Sequence, residues 1–324
     1  MKPLYILLFS VVLLISCKDD GKRDTSFLPE SLGNINTLQV VITNDLWNDT
    51  VGETIRDYFA APVDGLPQEE PLFSMNQMPP STYTDFARKY RTFLHVTIGD
   101  EENVNIRTNP YAKPQIGAFI TAKDKEGLVR LISENHKRII SAFKASEIKE
   151  NQKRINIALK NLDSLKQEFG VSLKVPAAYR VAHGNSDFYW IRKDLKSGST
   201  NVLVYEVPLS LIQNDSTAVG EIIKIRDSIG GGHLPVEDDD RFITEAAYAP
   251  YLFTTEIDGK FAYETKGIWE VKDQYMAGPF LNYAVKDTAN NRYLILEGFT
   301  YAPSVAKRDL QFELESILKS AKIE

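Results

Sequence analysis

Two adjacent carboxylates, Glu69 and Glu70, sit in a segment punctuated by Gly65, Pro67 and Pro71. Paired acids can share glycoside hydrolysis when their carboxyl groups lie about 5–10 Å apart across one bond. Neighbouring residues of an extended segment point to opposite sides, so these two are not expected to form such a pair. The prolines hold φ near about −65°, which makes residues 65–71 a rigid candidate recognition loop. One glutamate would meet a partner and the other a basic group of the chain itself. A second acidic run, Glu237-Asp238-Asp239-Asp240, follows Gly230-Gly231-Gly232-His233. Clustered carboxylates can bind Ca²⁺, but the closing glutamate of a calcium loop is missing, so a solvated loop is expected over 230–240. The glycines follow a helical segment and lack Gly-Lys-Ser/Thr, which excludes a phosphate loop. His95, His136, His183 and His233 show no metal-ligand spacing, and no Gly-x-Ser-x-Gly elbow occurs. Trp47, Trp190 and Trp269 have apolar neighbours and read as core, although an exposed one would suit a sugar ring. No catalytic residue can be assigned, and no cofactor or metal is expected.

The remaining reactive group is the thiol of Cys17, the sole cysteine, at the end of the apolar run that closes with Leu14-Ile15-Ser16. Lys2 ahead of an apolar stretch over 4–15 has the form of a signal peptide and is too short to span a bilayer. Leu three positions before the cysteine and a small residue just before it resemble a bacterial lipoprotein signal. That resemblance implies cleavage after Ser16, a diacylglyceryl thioether on Cys17 and an acylated new N-terminus. Two or more acyl chains hold a protein stably on a membrane where one does not. Lys18, Asp19 and Asp20 resemble the export signal of Bacteroidota surface lipoproteins, which implies the outer membrane and display on its outer face. The formal charge of −6 becomes −7 once Lys2 is removed. With no basic stripe, nucleic acid is not an expected partner. No thiol is left for a disulfide.

These groups need a scaffold. Residues 17–35 are polar and read as a tether, leaving a globular domain over 36–324 with a subdivision near 145–170. A strand is expected over 38–42. A helix follows, with Trp47, Val51, Ile55, Tyr58 and Phe59 on one face and Asn44 or Asp45 as its cap. Strands are expected over 72–75, 93–98, 104–107 and 116–121, with a helical piece over 82–90. The stretch 124–169 is helical, but an unbroken helix there would reach about 69 Å. Ile148 is the one strong apolar residue between Lys144 and Arg154, so a break or protruding arm is expected over 145–152, with Gly170 as the final cap. Further strands are expected over 171–174, 188–192 and 202–207, then a helix over 217–229 ending at Gly230. Asp258-Gly259 marks a hairpin, and Ala289-Asn290-Asn291 another. Leu310, Leu314, Ile317 and Leu318 mark a last helix over 305–321. The fold class is α+β, mainly antiparallel sheet with packed helices. The order of elements leaves open two similar lobes joined by the long helix.

The segments Phe27-Leu28-Pro29-Glu30-Ser31, Gly65-Leu66-Pro67-Gln68-Glu69-Glu70-Pro71, Phe188-Tyr189-Trp190-Ile191-Arg192 and Gly298-Phe299-Thr300-Tyr301-Ala302-Pro303 resemble an uncharacterised Bacteroidota lipoprotein family, a domain of unknown function. The resemblance implies taxon and compartment and transfers no activity. The expected role is a non-enzymatic envelope module that binds or scaffolds a protein or glycan partner. The alternative is an envelope hydrolase of glycan or peptidoglycan that uses carboxylates brought together by the fold. Two convergent acids in a pocket, one with a raised pKa, would favour the hydrolase.

Overall fold

The computed structural model describes residues 27–213, 215–236, 240–271 and 274–324. Cys17, Lys18, Asp19 and Asp20 lie outside them, as do Glu237, Asp238 and Asp239. Among the described residues, no helix is long and apolar enough to cross a membrane.

The first lobe opens with β1 (Thr37–Val41), the single turn α1 (Asn44–Trp47), α2 (Thr50–Phe59) and β2 (Ser74–Met78). β3 (Thr92–Ile98), β4 (Asn103–Thr108) and β5 (Ile116–Ala122) complete its sheet. The order is β2-β1-β3-β5-β4, and only the edge strand β4 runs antiparallel. Runs such as Val40-Val41-Ile42 explain the parallel core, because a strand buried on both faces needs no polar alternation. Leu38, Val40, Leu94 and Val96 face α2 and the long helix α3 (Lys125–Ile155). Val41 and Phe93 pack on the opposite face with Tyr83, Tyr111 and Phe119. Asp49, rather than Asn44 or Asp45, caps α2 and accepts the Thr50 N–H at 2.7 Å.

Part of the expected tether belongs to this lobe. The Leu32 N–H donates to the Lys89 carbonyl and the Arg91 N–H to the Leu32 carbonyl, both at 2.8 Å. Arg91 then reaches the carbonyls of Gly33 and Asn34 at 2.9 and 2.8 Å.

α3 is 31 residues long, about 46 Å at 1.5 Å per residue. The break expected over 145–152 does not occur. That polar stretch is where the helix leaves the first sheet and crosses onto the second lobe, so its side chains bond to the first lobe at Glu147 and to the second at Asn151 and Gln152. Glu147 is fully buried. It accepts from Arg91 Nε at 2.7 Å, Arg91 Nη2 at 3.1 Å, Thr92 Oγ1 at 3.0 Å and the Asn36 N–H at 2.8 Å. Asn151 and Gln152 donate to Ser316, at its hydroxyl and carbonyl, both at 3.0 Å. The chain turns after Ile155 and resumes as α4 (Asp163–Phe169), which Gly170 ends at φ +62° as expected.

The second lobe holds an eight-stranded antiparallel sheet. β6 (Val171–Ser172) pairs with the terminal β15 (Lys322–Ile323) and stays outside it. The sheet comprises β7 (Arg180–Gly184), β8 (Tyr189–Leu195), β9 (Gly198–Pro208), β10 (Phe242–Thr244), β11 (Tyr251–Ile257), β12 (Lys260–Val271), β13 (Met276–Asp287) and β14 (Arg292–Tyr301). Its order is β10-β12-β13-β14-β9-β8-β7, with β11 also on β12 through the Asp258-Gly259 turn. α6 (Arg308–Leu318) covers one face over Leu281, Leu294, Leu296 and Val202. α5 (Ala218–His233) covers part of the other over Leu203, Tyr205, Phe280 and Ile295.

α5 does not stop at Gly230. Its glycines form the last turn, because a Cβ at Gly231 would lie 2.7 Å from the Phe242 carbonyl oxygen, and the His233 ring stacks on Phe188 at 4.4 Å. Beneath α5, Arg226 and Glu297 are both fully buried and paired at 3.0 Å. The Arg226 guanidinium lies 3.9 Å from the Phe280 ring centroid and 4.7 Å from that of Phe242. The α+β class therefore holds and a long helix joins two lobes, but the lobes are not copies. One sheet is mainly parallel and the other wholly antiparallel.

Candidate binding site between the lobes

Strand alternation places Ala262, Glu264 and Lys266 of β12 on the α6 face. Glu264 and Lys266 pair at 2.7 Å. On α6, Glu315 pairs with Lys319 one turn further along, also at 2.7 Å. α3 brings Lys144 to the same spot from the first lobe, one turn before Glu147. A cavity of about 40 Å³ opens here, with Lys144, Lys266, Glu315 and Gln311 on its walls. At roughly 10–15 Å³ per water, it has room for the end group of a ligand. Residues 63–66 form one lip. Gly65 sits at φ +81°, and a Cβ there would come within 2.9 Å of the Lys266 Cβ, so glycine keeps the loop flat against β12. At the rim, Arg308 pairs with Asp309 at 2.9 Å and donates to the Pro71 carbonyl at 2.9 Å. Asn36, next to β1, also lines the cavity.

The charges in this seam shift each other. Burial alone would push the Glu315 carboxyl up, but Lys319, Lys266 and Lys144 outweigh it and hold its pKa at about 2. Burial opposes the Lys266 ammonium, yet Glu315 and Glu264 together raise its pKa. Lys144 goes the other way. Burial lowers its pKa, and Lys266 and Lys319 add to that against Glu315 and Glu264. Lys266 and Arg308 have ion-pair partners. Lys144 has no hydrogen bond or salt bridge to any described residue.

The residues singled out in the sequence land elsewhere. Glu69 is exposed. Glu70 is not free for a partner and acts inside the molecule. Its carboxylate accepts the backbone N–H groups of Lys307 at 2.6 Å and Arg308 at 2.9 Å, the open start of α6. A helix N-terminus favours negative charge and needs acceptors, so this contact fastens the loop of one lobe to the helix of the other. Glu70→Gln is expected to cost about 1–2 kcal/mol, the range for a lost helix cap. Glu69→Gln is expected to leave the urea midpoint unchanged. Equal midpoints for both variants would contradict the capping role. The side chains of Glu69 and Glu70 form no acid–base pair.

His95, His136 and His233 pack against aromatic rings, whereas His183 is exposed. His136 stacks on Tyr58 at 3.8 Å, and its Nδ1 lies 2.7 Å from the Ser133 carbonyl. Burial lowers the pKa of His95, which lies against Tyr83 and Phe119. His183 lies 6.3 Å from Phe188. Among the described residues, no three His, Cys, Asp or Glu side chains could hold a metal ion.

Sequence reasoning missed Lys144, Lys266 and Glu315, because each comes from a different element and none carries a motif. The signal that could have found them is the polar stretch from Lys144 to Arg154 inside a helix that is apolar on either side.

Residues 31–156 match a family described as a domain of unknown function (DUF8532), and residues 158–320 match another described as a domain of unknown function (DUF4837). No curated protein matches the chain. The two matches meet at the end of α3, so Lys144 comes from one matched region and Lys266 and Glu315 from the other. The second match spans just over half of the sequence, and by it the chain belongs to the DUF4837 family.

Proposed function

We propose that the protein is a non-enzymatic binding module held at the cell envelope by lipid on Cys17, and that its ligand presents an acidic end group to the cavity between the lobes. Lys144 carries this reading. Its amine makes no hydrogen bond or salt bridge to a described residue, and Glu315 and Glu264 only partly offset the burial that disfavours its charge, which leaves room for a directly bonded counter-charge. A carboxylate, phosphate or sulfate oxygen would supply one, and would favour the protonated amine that burial disfavours. Binding would therefore raise the Lys144 pKa, and should weaken as pH rises from the pKa of the free amine towards that of the complex. The hydrolase reading finds less support. Glu315 stays ionised far below neutral pH, so it has no proton to give; the second wall carboxylate, Asp64, lies on the lip, and the remaining polar wall groups are the amines of Lys144 and Lys266, the Arg308 guanidinium and the amides of Asn36 and Gln311.

Titrating the full chain with inorganic phosphate, sulfate, acetate and octanoate at low ionic strength tests this. At least one should raise the thermal midpoint saturably, and Lys144→Met should abolish that response while its ligand-free midpoint does not fall. An undiminished response in Lys144→Met, or no response from any of the four in the parent protein, would reject the site.

The pattern ending at Cys17 supports anchorage, and Lys18-Asp19-Asp20 supports export to the outer face of a Bacteroidota outer membrane. Cys17→Ala should move the protein from membrane to soluble fractions. Replacing Lys18, Asp19 and Asp20 together with alanine should keep it on membranes but shield it from proteinase K on intact cells. Retention of Cys17→Ala on membranes would contradict the lipid.

A further inference from the structure

A second and larger opening lies on the other face of the second sheet, beyond the end of α5. It is a groove of about 400 Å³, within the range of small-molecule sites. Trp190, Trp269, Phe299 and Tyr301 make up most of its aromatic wall, and Asn201, Ser199 and Arg192 contribute the polar part. We infer that this groove takes a pyranose ring of a neutral glycan.

A pyranose has an apolar face of C–H groups and a rim of hydroxyls that each donate and accept. The aromatic wall suits the first requirement. Both indoles are held by their own N–H groups. Trp190 Nε1 donates to Asn201 Oδ1 at 3.0 Å, and Trp269 Nε1 donates to the Thr300 carbonyl at 3.1 Å. Their donors are thus satisfied; Trp269 is buried and stacked on Phe242 at 4.9 Å, which backs the wall, and the half-buried Trp190 is the indole left to offer an apolar face.

The polar side suits the rim. Asn201 is 1% exposed and Ser199 4%. Asn201 donates one N–H to Ser199 Oγ at 3.1 Å, which leaves its second N–H, further lone pairs and the serine proton to be used. Arg192 gives Nε to Asp194 at 2.6 Å, and its terminal nitrogens have no protein acceptor among the described residues. Asp194 pairs with that guanidinium and also with Arg180 at 3.3 Å, and all three side chains reach solvent, so the groove makes only a weak, screened demand for charge on its occupant. A purely apolar occupant would seal Asn201 and Ser199 away with valences unmet, which is unfavourable. A polyol with one apolar face meets both demands.

Calorimetric titration of the full chain with glucose, galactose, mannose and N-acetylglucosamine, with indole as the apolar comparison, tests the inference. At least one sugar should bind saturably and more tightly than indole. Trp190→Ala should weaken that sugar at least tenfold without lowering the thermal midpoint by more than a few degrees, and Trp190→Phe should keep affinity within about threefold. No binding by any of the four, tighter binding of indole, or unchanged sugar affinity in Trp190→Ala would each overturn it. Lys144→Met should leave sugar binding intact, which keeps this site separate from the cavity between the lobes.

Discussion

Glu147→Ala is expected to destabilise the protein by about 3–5 kcal/mol, the range for breaking a buried ion pair from one side. The carboxylate accepts four hydrogen bonds from three residues, two of them from Arg91. Without it, a guanidinium 2% exposed keeps only the carbonyls of Gly33 and Asn34. The loss reaches three parts of the molecule at once: the entering strand at Asn36, β3 at Thr92 and the middle of α3. At about 2–4 °C per kcal/mol for domains of this size, the thermal midpoint should fall by roughly 10 °C. Glu147→Gln keeps the shape but not the charge and should lose about half as much. Glu134, on the exposed face of the same helix and 3.6 Å from Arg130, is the control, and its alanine variant should stay within about 0.5 kcal/mol of the parent. Thermal and urea unfolding followed by circular dichroism measure all three. Equal midpoints for the Glu147 and Glu134 variants would show that the buried pair contributes nothing.

Arg226→Met should lose a comparable amount at neutral pH, and its deficit should shrink in acid. Methionine replaces the packing between Phe242 and Phe280, so what remains is Glu297, fully buried, with Asn282 at 3.0 Å as its donor. Burial already holds the Glu297 pKa above the ordinary carboxylate value even against the pull of Arg226, and removing the arginine raises it further. A folded state that holds a proton more tightly than the unfolded chain is favoured at low pH. Its advantage is complete below the unfolded pKa of about 4.5 and is lost as pH rises through the folded pKa. The gap between variant and parent should therefore widen once pH rises through the parent's own raised Glu297 pKa, above 4.5, and reach about 3–5 kcal/mol at pH 7. Arg226→Met with Glu297→Gln should recover part of it. A gap that stays constant between pH 4.5 and 7 would mean that Glu297 does not titrate with folding.

Local chemistry was legible in the sequence wherever one segment decided the outcome. Val51, Ile55 and Phe59 marked the buried face of α2, and Leu314, Ile317 and Leu318 marked that of α6. Asp258-Gly259 set the β11–β12 hairpin, and Gly170 ended α4. What could not be read depends on partners far along the chain. Parallel pairing of β1 with β3 is fixed by the helical crossover rather than by a turn signal, so nothing local set this sheet apart from the antiparallel one expected. Nothing local marks Glu147 as buried, because its partner Arg91 lies 56 residues away. Three consecutive glycines argued against a helix, yet the approach of Phe242 to Gly231 makes them fit one. Glu70 was identifiable as a loop carboxylate, but its acceptor role needed the start of α6, 237 residues on.

The unbroken course of α3 bears on how either lobe could respond to a ligand. A helix shared by two sheets is not a hinge. To change the distance from Lys144 to Glu315, α3 would have to bend, or Asn151 and Gln152 would have to release Ser316. The cavity is consequently preorganised, and occupancy should cost little ordering entropy. Free and occupied protein should superimpose closely. Selectivity would then arise as a fixed gauge does, from the spacing of amines and carboxylates set when the chain folds rather than from closure around a guest.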